Sequence, residues 1–90
     1  MDPDYFTTYL KRAWVYNEEH NYQAAMTDLG HAIQLNPYLT DSYVERGMIW
    51  VELGDSEKAL KDFQQALKID PFNADAIKYK SYCLMKLGRK

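Results

Sequence analysis

The sequence predicts an all-α protein, a right-handed α-solenoid of helix-turn-helix repeats with five helices. Three observations predict it. Pro37 and Pro71 stand 34 residues apart, and sliding the sequence onto itself by that offset also superposes Tyr9 on Tyr43, Arg12 on Arg46, Glu18 on Glu52, Ala25 on Ala59, Asp28 on Asp62 and Ala32 on Ala66. These are seven identities in 34 positions, where chance gives about two. Within each unit the apolar residues recur at helical spacing, which calls for two helices per unit. No Gly- or Ser-rich stretch interrupts the 90 residues, so one domain is expected over 1–90. Its parts are repeat 1 at about 6–39, repeat 2 at about 40–73, and a half-repeat or closing helix at about 74–90.

The first helix is expected near 3–18, with Asp2 as its cap, Pro3 at its first position and Tyr9, Ala13 and Tyr16 on one face. The second, near 22–35, carries Ala25, Leu29, Ala32 and Ile33. It stops at Asn36-Pro37, because a residue preceding proline is pushed out of the helical region. The third, near 41–53, repeats the first with Tyr43, Gly47 and Trp50; Thr40 is its expected cap and Gly54 ends it. The fourth, near 56–68, starts from Asp55, repeats the second with Ala59, Phe63, Ala66 and Leu67, and stops at Asp70-Pro71. The fifth, near 74–87, opens another copy by matching Asp41 with Asp75, Leu53 with Leu87 and Gly54 with Gly88.

Small residues recur where paired helices must approach closely: Ala13 and Gly47 on first helices, Ala25, Ala32, Ala59 and Ala66 on second helices. They are expected to serve as holes for Tyr9, Tyr16 and Leu29, and for Tyr43, Trp50 and Phe63, since interaxial distances of about 8–10 Å need bulk on one side only. Overfilling such a hole costs about 1–3 kcal/mol. Ala25→Leu and Ala59→Leu should therefore each lower the melting temperature, which thermal unfolding followed by circular dichroism will check.

Composition narrows the function. Lys plus Arg 11 against Asp plus Glu 13 gives a net charge of −2, which argues against nucleic acid as a partner. The acidic start, Met1 to Asp4, lacks the basic and apolar regions of a signal peptide, and no apolar run approaches the ~18 residues of a membrane span. Cys83 is the single cysteine; it excludes an internal disulfide framework, fits a cytoplasmic location, and reads as a small buried or half-buried apolar residue. His20 and His31 have no second ligand at metal spacing, and the adjacent Glu18 and Glu19 point to different helix faces. No enzymatic activity, metal or cofactor is expected.

The alternation of large and small residues resembles the tetratricopeptide repeat family, whose 34-residue pattern runs W-x2-L-G-x2-Y, then A-x3-F, then P. Repeat 2 matches as Tyr43, Arg46-Gly47, Trp50, Ala59, Phe63 and Pro71; repeat 1 as Tyr9, Arg12-Ala13, Tyr16, Ala25, Leu29 and Pro37; the half-repeat as Ile77, Lys80-Ser81 and Leu84. Arg12, Arg46 and Lys80 depart from the family's Leu, and Ala13 and Ser81 from its Gly. The resemblance implies a protein-interaction or scaffold module whose first helices line a concave groove for a partner peptide or helix.

By register, that groove would present Leu10, Lys11, Trp14, Asn17, Val44, Glu45, Met48, Val51, Tyr79 and Tyr82, with Thr7, Asp41, Glu52, Asp75, Lys78, Met85 and Lys86 beside them. A contiguous apolar face of this kind suits a partner with an apolar stripe and a few basic residues. In the best-known subclass, a clamp of Lys, Asn and Arg holds the C-terminal carboxylate of heat-shock chaperones. Its five positions fall here on Leu10, Trp14, Glu45, Asp75 and Tyr79, none of which is a cationic or amide donor, so that ligand is not expected. The alternative is self-assembly, with the same apolar face or the last helix joining a homodimer. An apolar strip near Ala76, Cys83 and Leu87 is expected to lie open for that contact.

Overall fold

The computed structural model describes residues 5–88. They form five helices: α1 (Tyr5–Glu18), α2 (Tyr22–Leu35), α3 (Thr40–Glu52), α4 (Ser56–Ile69) and α5 (Ala74–Lys86). No strand occurs among the described residues. The expected helix ends agree to within one or two residues where they can be compared; the Asp2-Pro3 start lies outside the described residues. The helices stack into an elongated slab of 46 × 27 × 18 Å. α1 packs on α2 and α3 on α4; α2 meets α3, α4 meets α5, and α1, α3 and α5 run side by side.

The caps obey the repeat. Asn21 and Asp55, 34 positions apart, accept hydrogen bonds at their side-chain oxygens from the N–H of Ala24 (3.4 Å) and Lys58 (3.0 Å). Asn73 does the same for Ala76 at 2.9 Å. Thr40 is not a cap. Leu39 occupies that place with an extended backbone and no capping side chain, and Thr40 is already helical. The turns between paired helices use a left-handed residue at His20 (φ 59°) and Gly54 (φ 83°), and Gly88 (φ 71°) takes the equivalent place after α5. Glycine takes this conformation without cost, whereas His20 takes it with a side chain, held by a 2.8 Å hydrogen bond between its Nδ1 and the Tyr22 hydroxyl.

The core follows the large-small alternation. Ala25, Ala32, Ala59 and Ala66 are completely buried, with Leu29 and Phe63 packed beside them and Ala13 and Gly47 buried on the facing helices. One buried cluster joins α3, α4 and α5 around Phe63; the other joins α1 and α2 to Ile49 of α3. Of the expected knobs, Leu29, Phe63 and Tyr43 are buried, while Tyr9, Tyr16 and Trp50 are half-buried. Ala76 and Cys83 are not on an open strip: both are fully buried in the Phe63 cluster, because the positions at which successive first helices touch are filled from the preceding repeat. Burial also pushes the Cys83 thiol above its ordinary pKa, which disfavours the reactive thiolate.

Each helix pair is pinned by a bidentate ion pair. Arg12 donates from Nε and Nη2 to the two carboxylate oxygens of Asp28, both at 2.7 Å. Arg46 does the same to Asp62 at 2.9 and 2.7 Å. Both carboxylates are buried. Hydrogen bonding to Asp28, then its charge, pushes the Arg12 pKa further above its ordinary value; hydrogen bonding to Asp62 raises that of Arg46 against the opposing effect of burial. The polar departures from the family pattern at these two positions are thus structural links between the paired helices.

Candidate partner-binding groove

The side-by-side run of first helices creates two adjoining clefts. The larger, about 450 Å³, is lined by Thr7, Leu10, Lys11, Trp14 and Val15 of α1 and by Asp41 and Glu45 of α3. Trp14 lies in it with 57% of its surface exposed. The second, about 260 Å³, lies further along the same two helices between Asn17 and Glu18 of α1 and Met48 and Glu52 of α3, with His20 and Tyr22 at its end. Six of the ten expected groove residues therefore gather here: Leu10, Lys11, Trp14, Asn17, Glu45 and Met48.

The other four divide. Val44 is 5% exposed and belongs to the core, so it is not open to a ligand. It fills the seam between neighbouring first helices. Tyr79 is half-buried and stacks on Phe63 at 5.6 Å between ring centroids, which makes it a wall of the interior and not of the groove. Val51 is half-buried against the same cluster. Tyr82 is exposed, with the Lys86 ammonium 5.6 Å from its ring. Val15, absent from the expected set, is exposed and lines the larger cleft, although its counterparts Ile49 and Cys83 are buried. Those two are covered by a preceding helix pair; Val15 has none among the described residues.

The electrostatics of the larger cleft are acidic. Glu45 is partly desolvated and faces two like charges, Asp41 on its own helix and Asp75 on α5; desolvation first, then these carboxylates, raise its pKa above the ordinary 4.5. Lys11 is the cation in the same lining. A raised carboxylate pKa means that the folded chain holds the Glu45 proton more tightly than the unfolded chain does. The group's relative stabilisation is thus complete below 4.5 and is lost as pH rises through the folded value. Glu45→Gln is expected to raise stability at pH 7, a gain that disappears below the ordinary carboxylate range. Urea melts of both chains at pH 7 and at acid pH will check the sign.

Among the described residues no three His, Cys, Asp or Glu side chains gather as a metal site, and no helix is long and apolar enough to cross a membrane. The arrangement is a wall of side chains suited to holding another polypeptide. Comparison with known proteins agrees on the class. The tetratricopeptide repeat family model matches residues 12–81, and the chain belongs to that family, one of protein-interaction repeats. No curated protein matches it in sequence.

Among solved structures, the chain is similar to the first tetratricopeptide repeat domain of Spaghetti (RPAP3) bound to the HSP90 peptide SRMEEVD. The TM-score is 0.90 at 28% identity, over 97% of this chain and 69% of that one. It is also similar to MamA (TM-score 0.89, 23% identity, 92% of this chain and 48% of that one). A mutant of MamA with one arginine changed to glutamate aligns with TM-score 0.83 at 21% identity, over 97% of this chain and 64% of that one. At these identities the likeness to MamA is one of fold. The chain spans about half the length of MamA.

Proposed function

We propose that the face of α1 and α3 binds a polypeptide segment that combines apolar side chains with basic ones. The observation that carries this reading is the exposed indole of Trp14 in a cleft whose opposite wall is Asp41 and Glu45. An apolar side chain of the partner packs against Trp14, Leu10 and Met48, and a Lys or Arg beside it meets the carboxylates of Asp41 and Glu45. Asn17, Glu52 and Lys11 set the register at the rim, and Val51 and Tyr82 extend the surface toward α5.

The Spaghetti domain is bound to a peptide with three acidic residues. The cationic and amide donors of the family's carboxylate clamp are lacking here, where Leu10, Trp14, Glu45, Asp75 and Tyr79 stand at the clamp positions, and Asp41, Glu45 and Asp75 would repel an acidic ligand. The preferred ligand is therefore of the opposite charge.

Selection of a displayed random-peptide library on the intact chain, followed by fluorescence anisotropy of the enriched peptides, tests the reading. Enrichment of basic and apolar segments is expected. Trp14→Ala and Met48→Ala should each weaken their binding by about 1 kcal/mol or more, with unchanged helicity. Enrichment of acidic C-terminal peptides, or unchanged affinity in both variants, would remove this groove from the account.

A further inference from the structure

α5 repeats the first helices but has no second helix packed on it among the described residues. At the positions where α3 turns Tyr43, Arg46, Gly47 and Trp50 toward α4, α5 carries Ile77, Lys80, Ser81 and Leu84. Ile77 is 47% exposed, Ser81 is exposed, and Lys80 and Leu84 are half-buried. Between this face and α4 lies a cleft of about 480 Å³ lined by Lys80, Leu67, Lys61 and Lys68, with Gln64 and Gln65. Leu67 stands where Ile33 stands one repeat earlier, and Ile33 packs against the α3–α4 core. The cleft is thus the equivalent, one repeat along, of the space that α4 occupies beside α2 and α3.

We propose that this cleft docks an acidic amphipathic helix of a partner protein, which sets an Asp against Lys80 and a Leu against Ser81. Charge identifies the first feature. In both complete pairs the cation at this position is held by an Asp of the covering helix, Asp28 for Arg12 and Asp62 for Arg46. Lys80 has no carboxylate within ion-pair distance among the described residues, and neither have Lys61 and Lys68, so the cleft has a basic wall without a counter-charge.

Size identifies the second. Gly47, which has no Cβ, faces Phe63; Ala13, which has one, is matched by Leu29. Ser81 carries a Cβ and a hydroxyl, so the knob above it is Leu-sized and not aromatic. The flanking positions follow the covering helices already present, Ala25 and Ala32 around Asp28-Leu29, and give the motif Ala-x2-Asp-Leu-x2-Ala. A second copy of the chain is a poor occupant, since a two-fold contact through α5 would bring Lys80 toward Lys80 and double the positive charge of the cleft.

The probe is a capped peptide with the Tyr22–Leu35 sequence, which contains this motif. It is stapled across positions 23 and 27, which are exposed in α2, to offset the weak helicity of so short a segment. Titrated into the 15N-labelled intact chain, it should shift the amides of α5 and α4 around Lys80, Ser81 and Leu67, and leave those around Trp14 and Glu45 in place. Lys80→Glu should weaken binding about tenfold, and the peptide carrying Asp28→Lys should restore it on that variant.

Absence of binding, shifts centred on Trp14, shifts throughout α1 as the peptide displaces α2, or failure of the charge exchange would each overturn the proposal. Sedimentation of the chain alone as a dimer with Lys80 at the interface would assign the cleft to a second copy, and would overturn it too.

Discussion

Gly47→Ala should lower the melting temperature by about 5–10 °C, a loss of about 1–2 kcal/mol, even though alanine is the better helix former. A Cβ at position 47 would lie 2.7, 2.8 and 3.1 Å from Cε1, Cζ and Cδ1 of Phe63. The ring cannot swing aside into solvent, because it is completely buried and stacked on Tyr79 at 5.6 Å. Overpacking costs about 1–3 kcal/mol and the helix preference returns about 0.8–1, so the clash decides the sign. Repeat 1 uses another solution to the same contact, Ala13 with Leu29. Phe63→Leu alone should cost about 1 kcal/mol through the void it leaves. Combined with Gly47→Ala it rebuilds the repeat 1 pair, so the double variant should be more stable than the sum of the two single losses allows. Thermal unfolding of the four chains measures that coupling. A Gly47→Ala chain melting at or above the parent would show that the helices separate more easily than this packing permits.

That contact also shows what is legible in the sequence. The 34-residue offset places every helix, because the prolines and the small residues that fix the helix pairs are local features that survive without knowledge of the neighbours. The left-handed turn position is legible at Gly54 but not at His20, where the residue type conceals the backbone conformation. The Arg12–Asp28 and Arg46–Asp62 pairs escape a reading by composition, since charged residues on amphipathic helices are ordinarily solvated. A signal exists nonetheless: a cation and an anion 16 residues apart, both repeated without change at the same offset.

In the groove, register locates Leu10, Trp14, Glu45 and Met48 but misplaces Val44 and Tyr79. Periodicity assigns a residue to a side of its helix. Whether a residue at the border of that side meets solvent depends on the bulk of the neighbouring helix, and Phe63 draws Tyr79 inward while the cluster that joins α3 to α4 and α5 takes Val44.

The bidentate pair between α3 and α4 carries the largest single expectation. Arg46→Met keeps most of the volume and the apolar stem but leaves the Asp62 carboxylate, 7% exposed, without either of its short hydrogen bonds. Stranding one member of a fully buried pair costs about 3–5 kcal/mol; with 29% of the Arg46 side chain in contact with solvent, water can reach part of the site, and about 2–3 kcal/mol is expected. Arg12→Met should cost less, because the Arg12 side chain is 54% exposed and water more readily takes its place beside Asp28. The ordering of the two variants is therefore a test of burial and not of charge alone, as both pairs have the same bidentate geometry. Removing both partners separates the two contributions further. Arg46→Met with Asp62→Leu eliminates the stranded carboxylate and should recover most of the loss, since a buried ion pair and a well-packed apolar pair are often of similar stability. Urea unfolding of the two single variants and the double variant provides the comparison. Equal losses for Arg12→Met and Arg46→Met, or a double variant no more stable than Arg46→Met, would show that the arginines act through their stems and not through the carboxylates they hold.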